Sequence, residues 1–169
     1  KYAETAASLV WQIFDGDLAF IKLALKDAPI TSSRLIPILA REKKIDEALG
    51  IWNGLEPNAK LGDFRETGRT LFAQLLEAKR FKDALGVLSA ISVGELGNHD
   101  AGKVFDGGFE LRIATENKSV FEWRYAADPR MGLTEGNKRS GNYSFLIGFP
   151  SGTAAIKSIA QTIAVEPGR

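Results

Sequence analysis

The spacing of apolar residues changes once along this chain, and that change limits the folds it can adopt. Up to about Ile91, apolar residues recur every three to four positions, which is the spacing of amphipathic helices. After about Val104 they recur at every second position, which is the spacing of strands with one buried face. A glycine-rich segment, SVGELGNHDAGK at 92–103, separates the two regions. This pattern predicts an α+β protein in which helices and strands occupy two segregated parts.

Composition supports this division and excludes several classes of protein. Residues 1–99 contain 15 of the 18 leucines, while the net charge of the chain is only +1. The small net charge argues against nucleic acid as a partner. The chain has no cysteine and a single histidine, His99, which excludes disulfides and thiolate or His-rich metal sites. Because no stretch approaches the roughly 18 apolar residues of a membrane span, we expect no membrane insertion.

The helical part contains an internal repeat. The segments IDEALGIW at 45–52 and FKDALGVL at 81–88 lie 36 residues apart, and a helical run precedes each of them. A basic pair, Lys43-Lys44 or Lys79-Arg80, joins the two helices of each unit. A third, shorter helix pair fits residues 4–14 and 17–26, with Asp17 as an N-cap. The basic pairs are interpreted as solvated turns, and an edge that contacts an acidic peptide is the alternative.

Two details of these helices carry expectations of their own. Thr31-Ser32-Ser33 are candidate N-caps for one of these helices. Small residues lie in the middle of the second helices, where a neighbouring helix is expected to approach closely: Ala48, Gly50, Ala84 and Gly86. Paired helices that repeat every roughly 34–36 residues are typical of an α-solenoid. The spacing and the Ala-Leu core resemble tetratricopeptide repeats, which implies a protein-binding domain at about residues 1–95.

The second part alternates over four predicted strands. They cover residues 104–113, 121–125, 140–149 and 158–165, and Gly107-Gly108 marks a bend or bulge in the first. Turns with glycine, asparagine and aspartate separate these strands, and no helical pattern intervenes. We therefore expect an antiparallel β-sandwich at about 104–169, joined to the helical domain by a linker at 96–103.

Four short motifs in the second part resemble, in their order, carbohydrate-binding modules with a galactose-binding-like jelly roll. They are FDGGFE at 105–110, FEW at 121–123, GNYSFLIGF at 141–149 and QTIAVEPGR at 161–169. Such a jelly roll has about eight strands, and this chain supplies about half of them. We expect that the protein continues beyond Arg169. The alternative is an oligomer in which another chain completes the half-sandwich.

The resemblance directs attention to a few candidate site residues. Trp123 and Tyr125, with Arg130 in the following loop, are candidates for stacking on and holding a sugar, although alternation alone explains the two aromatic residues as an inward strand face. Asp106 and Glu110 are candidate calcium ligands. Glu110 is alternatively a residue that fixes the turn by hydrogen bonding. No other metal or cofactor is predicted.

No group of residues is placed for catalysis, so the sequence favours a non-catalytic adapter rather than an enzyme. The helical repeats are expected to bind a protein or peptide, and the β-module to bind a glycan or serve as a docking unit. Two alternatives stay open: a scaffold with a purely structural β-module, and an accessory region of a larger carbohydrate-active enzyme. By analogy alone, the combination points to the bacterial envelope or to exopolysaccharide production, and hence to a periplasmic location.

Overall fold

The computed structural model describes residues 2–92, 99–111, 119–125, 130–149 and 159–165. The chain divides into two compact units, Lys1–Gly97 and Asn98–Arg169. All of the described helices lie in the first unit, and all of the described strands lie in the second. The predicted α+β class is confirmed in this form.

The described helices of the first unit follow one another with short connections. They are α1 (Tyr2–Ile13), α2 (Leu18–Ala24), α3 (Pro29–Ser33), α4 (Ile36–Arg41), α5 (Ile45–Asn53), α6 (Pro57–Leu61), α7 (Arg65–Glu77) and α8 (Phe81–Ile91). Arg34 and Leu35 keep right-handed helical dihedral angles between α3 and α4. These two short helices therefore act as the two parts of one longer helix.

Three helix pairs form hairpins with the same turn: hairpin 1 (α1 and α2), hairpin 2 (α4 and α5) and hairpin 3 (α7 and α8). The first turn residue is left-handed in each, with φ of 46° at Asp15, 61° at Lys43 and 59° at Lys79. The N–H of the next residue donates to the carbonyl five positions earlier, in the pairs Gly16–Trp11, Lys44–Leu39 and Arg80–Leu75. This pattern is a Schellman-type helix end. The predicted turns at the basic pairs are confirmed.

The three hairpins also share their core positions. When the chain is aligned on the turns, and the second helix of hairpin 1 is shifted by one residue, four positions hold apolar residues in every hairpin. They are Ala7, Leu35 and Leu71; Trp11, Leu39 and Leu75; Ile21, Ala48 and Ala84; and Leu25, Trp52 and Leu88. All of these side chains are buried except Trp11, which is half-buried. The helical unit is therefore built from one packing pattern used three times.

The first helices of the hairpins lie side by side. Helix α1 packs against α3, and α4 packs against α7. A close approach occurs at Gly68 in α7, where an added Cβ would lie 2.6 Å from Cη2 of Trp52 and 2.7 Å from Cγ2 of Ile91. Of the four small residues predicted to be packed, Ala48 and Ala84 are fully buried. The prediction was wrong for Gly50 and Gly86, because both face open space.

One of the two N-cap predictions is confirmed and the other is wrong. Asp17 caps α2, since its Oδ1 accepts the N–H of Ala19 at 2.9 Å. Thr31, Ser32 and Ser33 lie inside α3, which begins after Ala28 with Pro29 at its first position. The two serine hydroxyls donate to the Leu25 and Ile30 carbonyls. Proline, whose fixed φ suits the first turn, starts this helix instead of a serine cap.

The second unit contains two antiparallel strand pairs. The strands are β1 (Arg124–Tyr125), β2 (Met131–Thr134), β3 (Ser144–Ile147) and β4 (Ile159–Ala160). Strand β2 pairs with β3 so that Met131 faces Ile147 and Thr134 faces Ser144, and β1 pairs with β4. Three of the predicted strand regions thus contain a strand, each shorter than predicted.

The region at 104–113 differs from its prediction. Residues 105–108 form a turn, and no strand is assigned in the described part of this region, 104–111. The left-handed residues are Asp106 (φ 46°) and Phe109 (φ 58°) rather than Gly107 or Gly108. The chain does bend at the glycine pair, but the bend belongs to a turn and not to a bulged strand.

Candidate interaction surfaces

Trp123 and Tyr125 lie in one aromatic cluster of the second unit. The Trp123 ring stacks on Phe109 with centroids 5.0 Å apart, and Phe109 in turn stacks on Phe145 at 5.4 Å. Tyr125 meets Phe145 edge to face at 5.1 Å. Trp123 Nε1 donates to the Asp106 carbonyl at 3.0 Å. The four rings are each half-buried, so the cluster combines packing with a partly accessible surface.

Arg130 lies just before β2 and connects to the end of β3. Its carbonyl accepts the Gly148 N–H at 2.7 Å, and its side chain is half-buried. The loop before it, 126–129, lies outside the described residues. Strands β2 and β3 therefore place Arg130 beside Gly148, while β1 carries Tyr125.

Asp106 and Glu110 use their carboxylates to hold backbone. Asp106 accepts the N–H of Glu110 at 2.7 Å and that of Leu111 at 3.1 Å, one on each carboxylate oxygen. Glu110 Oε2 accepts the Asn142 N–H at 2.8 Å. The two acids thus close the turn at 105–108 and tie it to the loop before β3. This is the hydrogen-bonding role considered for Glu110.

Two further residues of this region belong to the jelly-roll-like motifs, but the sequence assigned neither of them a structural role. Gly141 has φ of 72°, and a Cβ there would overlap the Glu110 carboxylate. Gln161 pairs with the backbone of Phe105 twice, accepting its N–H at 3.1 Å and donating to its carbonyl at 2.9 Å. The Gln161 side chain thus satisfies backbone groups of Phe105 that a neighbouring strand would otherwise pair with. The sequence signal for this role is a glutamine among alternating apolar residues.

His99 is a loop residue, as the sequence predicts, but it is buried. Its ring stacks on Phe105 with centroids 3.9 Å apart and nearly parallel planes. Nearby, Lys103 forms an ion pair with Asp100 at 2.8 Å. The hydrogen bond from Lys103 lowers the pKa of Asp100 below that of an ordinary carboxyl.

The basic turn residues of the first unit divide between two tasks. The second residue of each pair reaches back to the preceding hairpin: Lys44 Nζ donates to the Gly16 carbonyl at 3.1 Å, and Arg80 pairs with Asp46. Arg80 also pairs with Asp83 of its own hairpin at 2.7 Å. The Asp46 carboxylate raises the pKa of Arg80 further above its usual value. Lys43 and Lys79 are exposed. Lys44 and Arg80 therefore link each hairpin to the preceding one, while Lys43 and Lys79 face solvent.

The first helices present a common outer stripe to solvent. It consists of three positions per hairpin, aligned on the turns, and every one is exposed or half-buried. The residues are Tyr2, Leu9 and Ile13 in hairpin 1; Ile30, Pro37 and Arg41 in α3 and α4; and Glu66, Ala73 and Glu77 in hairpin 3. The outer stripe is apolar at one end of the helix layer and acidic at the other.

The described residues contain neither a metal-binding cluster nor a membrane-spanning helix. No group of three or more His, Cys, Asp or Glu side chains there is placed to hold a metal ion. Among the described helices, none combines the length and the apolar character needed to cross a membrane.

Compared with known proteins, the chain matches no family model, no curated protein and no solved structure. Its function is therefore inferred from the contacts of its own residues.

Proposed function

We propose that this chain is a non-catalytic adapter whose helical hairpins form a short solenoid and bind a protein or peptide through the outer stripe. The observation that carries the proposal is the threefold use of one hairpin pattern, with the same left-handed turn and the same buried positions. Repeated helix pairs of this kind, similar to tetratricopeptide repeats, build extended surfaces whose side chains are free to specify a partner. The exposed apolar residues of hairpin 1 supply such side chains.

A photo-crosslinking amino acid at Tyr2 tests this proposal. Tyr2 belongs to the outer stripe of hairpin 1 and is exposed, whereas Gly50 is exposed on α5 and serves as the control. With cell-envelope extract as the source of partners, we expect a discrete crosslinked product from position 2, and its loss when unlabelled chain is added in excess. Equal products from both positions, or none from position 2, would contradict the proposal.

For the second unit we propose a jelly-roll-like β-module that binds a glycan or acts as a second docking unit. The partly accessible aromatic cluster supports it, because aromatic faces are suited to stacking on sugar rings. Trp123, Tyr125 and Arg130 are the residues proposed to contact the sugar. A periplasmic or envelope location, either as a free adapter or as the accessory region of a larger carbohydrate-active enzyme, belongs to the same proposal.

Binding to a panel of bacterial polysaccharides tests the module. We expect saturable binding that weakens in Tyr125→Ala and is retained in Leu146→Ala, which removes an exposed apolar side chain from β3. Flat titrations across a broad panel would leave protein docking as the role of this unit and would contradict glycan binding.

A further inference from the structure

Helix α1 carries more apolar surface than its packing uses. Tyr2, Ala6, Leu9 and Ile13 follow one another at intervals of four, three and four residues. This is the spacing of a seam between two packed helices. Leu9 is 54% exposed and Ile13 is 65% exposed, whereas Ala7 on the inward side is fully buried.

Stacking of one hairpin on another does not account for the exposed apolar residues of α1. The turn alignment places Glu4 at the position of Ser32 and Gly68, and Gly68 is where α7 meets Trp52 of the preceding hairpin. The positions used for stacking on a preceding hairpin are therefore polar in α1, with Glu4, Ser8 and Gln12 all exposed. Terminal repeats of helical arrays carry a polar outer face of this kind. The apolar residues of α1 lie on a different side of the helix.

The neighbouring helix continues the apolar surface and gives it a charged end. Because α1 packs against α3, the outer positions Ile30 and Pro37 lie on the next helix line, and Ile30 is 62% exposed. The last position of this line is Arg41, which is exposed and aligns with Ile13 near the turns. On α7 the corresponding residues are Glu66 and Glu77.

From this arrangement we propose that the outer surface between α1 and the α3–α4 line binds an amphipathic helix that is apolar along one side and acidic at the end facing Arg41. The apolar side of that helix covers Leu9, Ile13 and Ile30, and its acidic residues pair with Arg41. The acids of α7 repel the same helix, so it stays over hairpins 1 and 2. This inference rests on the proposed protein-binding function and names the partner for that surface.

Three synthetic helical peptides test the inference by fluorescence anisotropy with the full chain. The first has leucines at alternating four- and three-residue intervals and glutamates in one terminal turn. The second has lysines in place of the glutamates, and the third has serines in place of the leucines. We expect the first to bind, the second to bind several-fold more weakly and the third to show no saturable binding.

Variants of exposed residues then locate the peptide. Leu9→Ser should weaken the first peptide about tenfold or more, since a buried leucine is lost from the contact. Arg41→Glu should reverse the preference between the first two peptides. Leu23→Ser removes an apolar residue from α2 that is 71% exposed, and it should leave binding unchanged. Far-ultraviolet circular dichroism of each variant confirms that the fold is retained.

The outcomes separate this inference from the function on which it rests. Failure of the first peptide to bind, or binding that Leu9→Ser and Arg41→Glu leave unchanged, overturns the helix proposal. If the crosslink from Tyr2 is nevertheless formed, protein binding stands and the partner has another chemistry. If both experiments fail, the adapter function fails as well.

Discussion

Gly68 is the residue on which the packing of hairpins 2 and 3 depends most. An added methyl group would lie within 2.7 Å of both Trp52 and Ile91, two buried side chains on different helices. We expect Gly68→Ala to lower the free energy of unfolding by about 1–3 kcal/mol, because neither neighbour has space to move away. Guanidinium denaturation followed by far-ultraviolet circular dichroism measures the change.

The matched controls for Gly68 are the two glycines that the sequence analysis expected to be packed. Gly50 and Gly86 have nothing near an added Cβ, so alanine there should raise the free energy of unfolding by about 0.5–1 kcal/mol through helix propensity alone. Stabilisation by all three substitutions, or destabilisation by all three, would contradict this account of the packing.

Asp106 should decide the stability of the turn in the second unit. Asp106→Ala removes both acceptors and places alanine at a left-handed φ, so we expect a loss of about 2–3 kcal/mol. Asp106→Asn keeps one acceptor and tolerates the backbone, so its loss should be smaller. Hydrogen exchange of the Trp123 indole N–H reports on this turn, since that group donates to the Asp106 carbonyl.

A calcium titration accompanies this experiment. If calcium raised the melting temperature of the unaltered chain and Asp106→Asn abolished the rise, the acid would be a metal ligand and the turn-closing role would be contradicted. Because no third acidic side chain joins Asp106 and Glu110 in a metal-binding group within the described residues, we expect the melting temperature to stay constant.

At the scale of elements, the hairpin turns show why each basic pair contains two unlike positions. Lys43 and Lys79 have left-handed φ, a conformation that costs a residue with a Cβ about 1–2 kcal/mol. Lys43→Gly and Lys79→Gly should therefore stabilise the helical unit by about 0.5–1 kcal/mol, after allowance for the greater freedom of glycine in the unfolded chain. Chemical denaturation measures both.

Substitution of the second residue of the pair by glycine should destabilise the helical unit. Lys44 has an ordinary φ, donates to the Gly16 carbonyl and lies 5.2 Å from the centre of the Trp11 ring. Lys44→Gly should cost about 1 kcal/mol through loss of these contacts. If Lys43→Gly were the more damaging of the two, the turn would not be strained at its first position.

Elements were predictable from the sequence where a local pattern decides the structure. The helices around the basic pairs and the strand at Ser144–Ile147 follow from apolar spacing alone. The turn at 105–108 was expected to be a bulged strand, because alternation of Phe105 and Phe109 gives no sign that Asp106 captures two backbone N–H groups. The pairing of Gln161 with Phe105 joins residues 56 positions apart, which spacing cannot reveal.

The same limit applies to the candidate sites. Alternation placed Trp123 and Tyr125 on one face, and both belong to one aromatic cluster. The rings that complete this cluster, Phe109 and Phe145, come from the end of a turn and from another strand, which alternation does not reveal. The outer stripe of the helical unit becomes visible only once three turns are aligned. The turn residues Asp15, Lys43 and Lys79 are separated by 28 and then 36 residues, so a fixed repeat length does not reveal that alignment.

At the scale of the whole molecule, two cores of unlike construction should respond separately to substitution. Gly68→Ala disturbs contacts made entirely within residues 1–97, and Asp106→Ala disturbs contacts within 98–169. The first should lower the transition seen by far-ultraviolet circular dichroism, to which the helices contribute most, and the second should speed Trp123 indole exchange. In the double variant the two losses in free energy of unfolding should add to within about 0.5 kcal/mol, as for sites without shared partners. A larger deviation would show that the helical and β units fold as one cooperative body, and glycan or peptide binding by one would then have to be tested for its effect on the other.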